Sequence, residues 1–337
     1  MNHSGAVFAK LDRALEAVVL TRRPLYYDDG ADPSVDRPAH VRAGSSIAWV
    51  PGGIALVQDD ANFIAVVDPN VGRARWVALP EGAGGRRQFD DRRGNKRHKL
   101  DLEACVSADT ADGVILIALG SGSTPGREQV VIARGWESGR PAADLVHVPA
   151  LYDRLRRAAA FAGSELNVEG AIRLGDRLRL FGRGNGARRG DVVPVNASCD
   201  LGWSEFLDHL RDVDRAPPPE PATIVRYELG TMEGVPLSFT DATLWRDAIL
   251  FSATAEESPD VTRDGRVHGS AIGIIGRSGS ARWAPLSETS GSRFPGKVEG
   301  LVAAQGPDSR IHVVVDADDP DAASELCTVE LRGDWPG

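Results

Sequence analysis

Apolar residues in this chain come in short runs parted by turn residues. After Ser46 the runs are SIAWV, GIALVQ, FIAVVD and RARWVAL, separated by turns such as Pro51-Gly52-Gly53 and Asp59-Asp60. Short apolar or alternating runs between such turns predict β-strands, and four in succession predict one antiparallel sheet. The series returns as EACVSA, GVILIAL, QVVIARG and ADLVHVP. It returns again as EGAIRL, RLRLFG, DVVPVN and, after an insertion, TIVRYEL. A further unit reads DATLWR, AILFSAT, SAIGIIG and ARWAPL, and the last has only EGLVAA, IHVVVD and ELCTVEL.

A phrase heads each unit: GSSIAWV around Ser46, DLEACV around Glu103, NVEGAI around Glu169, FTDATL around Asp241 and KVEGLV around Glu299. Successive copies are 57, 66, 72 and 58 residues apart. A phrase at a nearly fixed period signals a repeat architecture. The prediction is an all-β fold, a five-bladed β-propeller of four-stranded antiparallel blades. Residues 1–337 form one domain, with blades at about 40–80, 100–150, 166–230, 238–287 and 297–331. The N-terminal run LEAVVLTRRPLYY is expected to complete the last blade, which removes exposed edges and closes the ring. Apolar positions over 8–18 also fit helical spacing, so helix is the rival there, and six blades is the alternative architecture. ALYDRLRRAAAFAG (150–163) and GWSEFLDHLRDVD (202–214) predict short helices outside the ring. The second belongs to a helical, proline-rich insertion at 200–220 that ends in APPPEP, a stiff linker.

Equivalent positions at the head of each first strand face one another across a propeller's axis. Ser46, Glu103, Glu169, Asp241 and Glu299 are therefore expected at one depth. Converging carboxylates repel unless they are protonated, paired with a cation or bound to a metal. Oxygen-only donors at flexible spacing suit Ca²⁺, and these five residues are its expected ligands. The alternative is that the acids accept backbone N–H groups and tie the blades together. The turns GSGSTPGRE (120–128) and GNGARRGD (184–191) share a G-x-G-x-x-x-G spacing and belong at the same mouth. Such turns present N–H groups to anions, and Arg127, Arg183, Arg188 and Lys99 are the expected anion-binding side chains. Ordinary turn chemistry is the alternative for the glycines. Glu103 and Asp59 are the candidate catalytic bases.

Bulk properties narrow the classes. A net charge of −9 argues against generic nucleic-acid binding. The three cysteines are isolated, so no zinc pair or disulfide framework is expected. No apolar run is long enough to span a bilayer, and the N-terminus lacks the order of a signal peptide. The expectation is a cytoplasmic monomer without membrane contact. Asn196-Ala197-Ser198 fits a glycosylation sequon.

The phrases DLEAC, NVEGA and KVEGL resemble the blade heads of the calcium-activated nucleotidases, or apyrases. In that five-bladed propeller family serine and glutamate residues hold a central Ca²⁺, and nucleoside diphosphates are hydrolysed. The resemblance implies calcium on Ser46, Glu103, Glu169 and Glu299, with Asp241 where the family tends to use a smaller residue. LDLEAC and LGSGS also resemble an uncharacterised bacterial β-propeller family, loosely related to phytase-like and esterase-like propellers. The functional expectation is a calcium-binding propeller with a mouth site for an anionic small molecule, and a hydrolase of phosphoesters or nucleotides. The alternatives are a non-enzymatic scaffold for a protein partner, with 202–214 as the handle, and a calcium-dependent esterase or lactonase.

Overall fold

The computed structural model describes residues 5–258, 260, 265–306 and 308–335. The fold is all-β, with curled sheets arranged as in a propeller. One sheet runs, from its inner to its outer side, through Gly44–Val50, Gly53–Gln58, Phe63–Asp68 and Arg73–Ala78. The next runs through Leu102–Thr110, Gly113–Gly120, Gln129–Arg134 and Ala142–His147. The third runs through Val168–Leu174, Arg177–Gly182, Asn196–Gly202 and Ala222–Glu228.

The rest of the chain makes a ten-stranded sheet. One end holds Val235–Trp245, Ala248–Glu256, Val267–Ile275 and Ala281–Glu288. The other holds Lys297–Ala303, Arg310–Asp316 and Glu325–Gly333. Leu15–Pro24 joins the two halves, antiparallel to Glu325–Gly333 and parallel to Ala281–Glu288. Residues 7–8 and 10–11 are also extended and pair with outer strands. Strand therefore wins over helix at the N-terminus, because Lys10–Leu11 and Leu15–Pro24 pair with neighbouring strands and Leu15, Ala17 and Val19 reach the core.

Alternation of side chains explains why the middle strands read as unbroken apolar runs. Such strands are buried on both faces. Ile64 and Val66 join one cluster with Leu116 and Ala118, while Ala65 and Val67 join another with Val302 and Val314. Further clusters join Ile117 to Leu180, Phe181 to Phe251, and Leu250 to Val313. The innermost strands pack in a circuit. Gly44–Val50 lies against Leu102–Thr110, then Val168–Leu174, Val235–Trp245 and Lys297–Ala303 follow, and the last returns to the first.

Helices α1 (Pro149–Arg157), α2 (Ala159–Ala162) and α3 (Trp203–Arg211) coincide with the two predicted helical stretches. They are not decoration. Leu151, Tyr152, Leu155, Phe161, Phe206 and Leu210 belong to the cluster between the second and third sheets. Pro149 sits in the first turn of α1, where its missing N–H costs nothing. Among the described residues no helix is long and apolar enough to cross a membrane.

Candidate functional site

A β-bulge at the head of the innermost strands sets the site. Leu102 faces Gly120 and Ala104 faces Leu119, so Glu103 is the extra residue. Glu169 lies likewise between Val168 and Gly170, Thr240 between Phe239 and Asp241, and Glu299 between Val298 and Gly300. Ser45 and Ser46 share the irregularity in Gly44–Val50. A bulge leaves its extra residue outside the ladder and re-aims the side chain. Glu103, Glu169, Glu299 and Ser45 line one cavity of about 50 Å³, joined by Asp59 and Asp101.

Ser46 and Asp241 were expected at the same depth, and the bulges correct this by one residue. Neither lines the cavity; Ser45 and Thr240 are the bulge counterparts of the glutamates. The Ser46 hydroxyl donates to Asp241 Oδ2 at 3.0 Å and accepts the Cys105 N–H at 3.0 Å. Asp241 Oδ2 also accepts the Leu301 N–H at 3.1 Å, and Oδ1 accepts the Ala242 N–H at 2.8 Å. The carboxylate and the Ser46 hydroxyl together tie strands from four of the five positions in the circuit. Its neighbours in the layer are small because the backbone is close. A Cβ on Gly170 would lie 3.0 Å from Ala242 N, and one on Gly300 would lie 2.9 Å from Ser46 Cα.

Around the cavity, cations alternate with acids. Lys99 Nζ contacts Asp59 and lies 2.6 Å from Asp101 Oδ1. Arg127 reaches the other Asp101 oxygen at 2.9 Å and Ser123 Oγ at 2.8 Å. Arg183 spans Glu169 at 3.4 Å and Glu256 at 2.5 Å. Lys297 meets Glu299 at 3.0 Å, Asp318 at 3.2 Å and Glu256 at 3.7 Å. Glu169 also accepts the Asn167 amide at 2.6 Å. Among the described residues no hydrogen bond or ion pair reaches the Glu103 carboxylate. Oxygens of Asp59, Asp101 and Glu103 lie within 4.8 Å of one another.

The electrostatics follow from this packing. Burial, reinforced by Asp59, Asp101 and Glu169, pushes Glu103 well above the usual carboxylate range. Burial also pushes Glu169 to about 8, against Arg183, with Glu299 adding to the rise. Asp59 is pushed to about 6 by burial, with Lys99 opposing and Asp101 reinforcing. At Asp101 burial is outweighed by Lys99 and Arg127, and its pKa falls. Burial disfavours the Lys99 ammonium, but Asp101, Asp59 and Glu103 outweigh it and hold the lysine charged.

The glycine-rich turns have packing reasons of their own. A Cβ on Gly184 would lie 2.7 Å from Asn196 N, and one on Gly186 would lie 2.8 Å from Glu165 Oε2. Gly122 has φ +70° and abuts the Tyr152 ring. Of the four expected anion-binding side chains, Lys99, Arg127 and Arg183 turn to acids of the ring, and Arg188 is exposed. Asn196 is occupied too: its side-chain oxygen accepts the Gly184 and Phe239 N–H groups, and its NH₂ donates to Leu237 O. Sequence reasoning missed Asp101, Glu256 and Lys297. Asp101 and Lys297 each stand two residues before a phrase glutamate; Lys297 shares the strand with Glu299, and Asp101 precedes the strand of Glu103 with a left-handed backbone, φ 57°.

A larger groove, about 1560 Å³, lies elsewhere, with Phe8, Ile224, Leu237 and Ile249 in its lining. Carboxylates do not converge there.

The model of a family of unknown function, DUF6929, matches residues 40–331. No curated protein matches the sequence. Among solved structures, the chain is similar to Myxococcus xanthus glutaminyl cyclase at 8% identity and a TM-score of 0.48, over 98% of this chain and 99% of that one. It is similar to a Podospora anserina α-L-arabinofuranosidase solved with cellotriose, at 10% identity and a TM-score of 0.42, over 90% and 94% of the two chains. For the holo PQQ domain of Coprinopsis cinerea pyranose dehydrogenase the values are 11% and 0.36, over 97% and 100%.

Proposed function

We propose that this chain, which belongs to the DUF6929 family of unknown function, is a single-domain five-bladed β-propeller that binds a divalent cation, calcium foremost, at its acidic mouth. The observation that carries the reading is Glu103, a carboxylate without a hydrogen-bond or ion-pair partner among the described residues, beside Asp59 and Asp101. Ca²⁺ takes oxygens at roughly 2.3–2.6 Å, so two oxygens on one ion stand up to about 5 Å apart. The carboxylate oxygens of Asp59, Asp101 and Glu103 lie within 4.8 Å of one another, inside that limit. Mg²⁺, with bonds of about 2.0–2.1 Å, requires a tighter set. Glu169 and Glu299 stand on the same cavity as further oxygen donors.

The bound ion gives the mouth its affinity for an anionic small molecule, because Lys99, Arg127 and Arg183 are already engaged by acids. A phosphoester or nucleotide is the favoured class. When bound, the ion supplies Lewis-acid polarisation of a phosphoryl oxygen. Asp59 and Glu103 are the groups placed to hold or accept a proton beside it. The test is calorimetric titration of metal-stripped protein with Ca²⁺, alongside a Glu103→Gln/Glu169→Gln double variant. Binding that the variant loses supports the reading. No binding by folded wild type overturns it.

The second reading is a scaffold in which the acids only hold the sheets together. The Ser46–Asp241 tie favours it, since that acid is fully engaged by hydrogen bonds. It predicts folding and partner binding that are indifferent to Ca²⁺.

A further inference from the structure

The carboxylates of the mouth already hold a cation, and it is a side chain. Lys99 Nζ contacts Asp59 Oδ1 and lies 2.6 Å from Asp101 Oδ1, two of the three acids that suit a metal. The lysine side chain is 7% exposed. Among the described residues the third acid, Glu103, has no donor. An ion sharing all three carboxylates competes with the ammonium for the oxygens that it bonds.

A second observation points to a missing ligand in the same cavity. Arg183 lines it, its side chain is 6% exposed, and its Nε has no acceptor among the described residues. A buried N–H without an acceptor is costly, and such groups are normally satisfied by protein, water or ligand. A cavity of about 50 Å³ has room for an ion or a water. A hydrated cation supplies both deficits, charge for Glu103 and a water oxygen for Arg183.

We propose that Lys99 is a resident stand-in for the cation, a latch that withdraws from Asp59 and Asp101 as a divalent ion enters, while a water on that ion accepts the Arg183 Nε–H. This rests on the cation reading and adds its regulation: the ion's affinity is set by competition with an internal ammonium. Lys99 directly follows the Lys96–His98 turn, which is exposed or half-buried.

The experiment compares Ca²⁺ titrations of wild type and Lys99→Met, with amine labelling of the wild type. Removing the competing charge should tighten Ca²⁺ binding by about tenfold or more. Only four lysines occur in the chain, Lys10, Lys96, Lys99 and Lys297, so reductive methylation read by mass spectrometry reports on each. Lys99 methylation should rise several-fold when Ca²⁺ is added, while Lys10 stays constant. If wild type binds Ca²⁺ but Lys99→Met binds equally or more weakly, the latch is wrong and the cation site stands. If the variant does not fold, labelling decides: Ca²⁺ binding with Lys99 still protected overturns the proposal. If neither protein binds Ca²⁺, both the latch and the site fail. Binding by the variant alone means the ammonium keeps the site permanently, which overturns both the latch and cation binding by the native chain.

Discussion

Two layers of the channel, one residue apart along the strands, handle buried carboxylates in opposite ways. In the inner layer Asp241 accepts hydrogen bonds from Ser46, Ala242 and Leu301, among neighbours as small as Gly170 and Gly300. In the mouth layer the acids outnumber their donors and are set against Lys99, Arg127, Arg183 and Lys297. Both layers raise carboxyl pKa values, chiefly by burial. The difference is directional hydrogen bonding. Donors fixed on the backbone leave the inner acid no freedom to take a ligand. Long, flexible cations neutralise the mouth acids but can yield to another cation. An acid ring is therefore structural where the backbone supplies the donors, and open to exchange where side chains do.

The largest effect should come from the inner layer. Asp241→Ala leaves the Ser46 hydroxyl and two backbone N–H groups without an acceptor in a closely packed layer. Each stranded group costs about 1–3 kcal/mol, so a total loss of roughly 3–5 kcal/mol is expected. Urea denaturation measures it, and Ca²⁺ should not restore the loss. A cost below about 1 kcal/mol would mean that the tie is not structural.

Next in size is a pH effect to which the mouth acids contribute. Asp59 near 6 and Glu169 near 8 lie above their ordinary unfolded values, so the native state keeps protons that the unfolded chain has released. Their stabilising contribution is complete at acid pH and is lost as pH rises through 6 and 8. His312, lowered to about 4 by burial, acts in the opposite sense and loses its contribution below about 6.5. Between pH 6.5 and 8 only the acids change. The metal-free Tm should fall across that window, and saturating Ca²⁺ should flatten the slope. A metal-free Tm that rises with pH there contradicts the electrostatics of the mouth.

Much of this was legible in the sequence, and the failures have identifiable causes. Turn-bounded apolar runs reveal the sheets because two-sided burial demands continuous Val, Ile, Leu and Ala. The phrase marks Glu103, Glu169 and Glu299 because each follows Leu102, Val168 or Val298 and precedes a small residue. The same frame applied to FTDATL puts Phe239 with those residues and Thr240 with the glutamates, so the register of Asp241 was readable. Matching acid to acid concealed it. The neutralising cations were not readable in that way. Lys99 and Arg127 look like exposed loop charges until the fold brings them against Asp101, and Arg183 meets Glu256 from 73 residues away.

A smaller effect belongs to the mouth acid without a partner. Glu103→Gln removes a charge that burial and three neighbouring acids oppose, so the metal-free protein should gain up to about 1 kcal/mol at pH 8. It should also lose most of its Ca²⁺ affinity. Stability and binding moving in opposite directions would distinguish a ligand-ready acid from a structural one. An equal loss of both would transfer Glu103 to the class of Asp241.

The smallest expected effect separates recognition of an anion by the ion from recognition by arginine. Arg127 cannot make that distinction, because removing it takes one of two cations from the buried Asp101 and so perturbs the mouth itself. Arg188 can, since it is exposed and its reversal to glutamate should change folding by less than about 0.5 kcal/mol. With Ca²⁺ present and inorganic phosphate as the probe, Arg188→Glu should weaken binding by no more than about fivefold, the size of an exposed charge interaction. If phosphate binding instead disappears while Ca²⁺ binding persists, the glycine-rich turn around Arg188 recognises the anion directly. The mouth would then work as two adjoining sites of opposite charge.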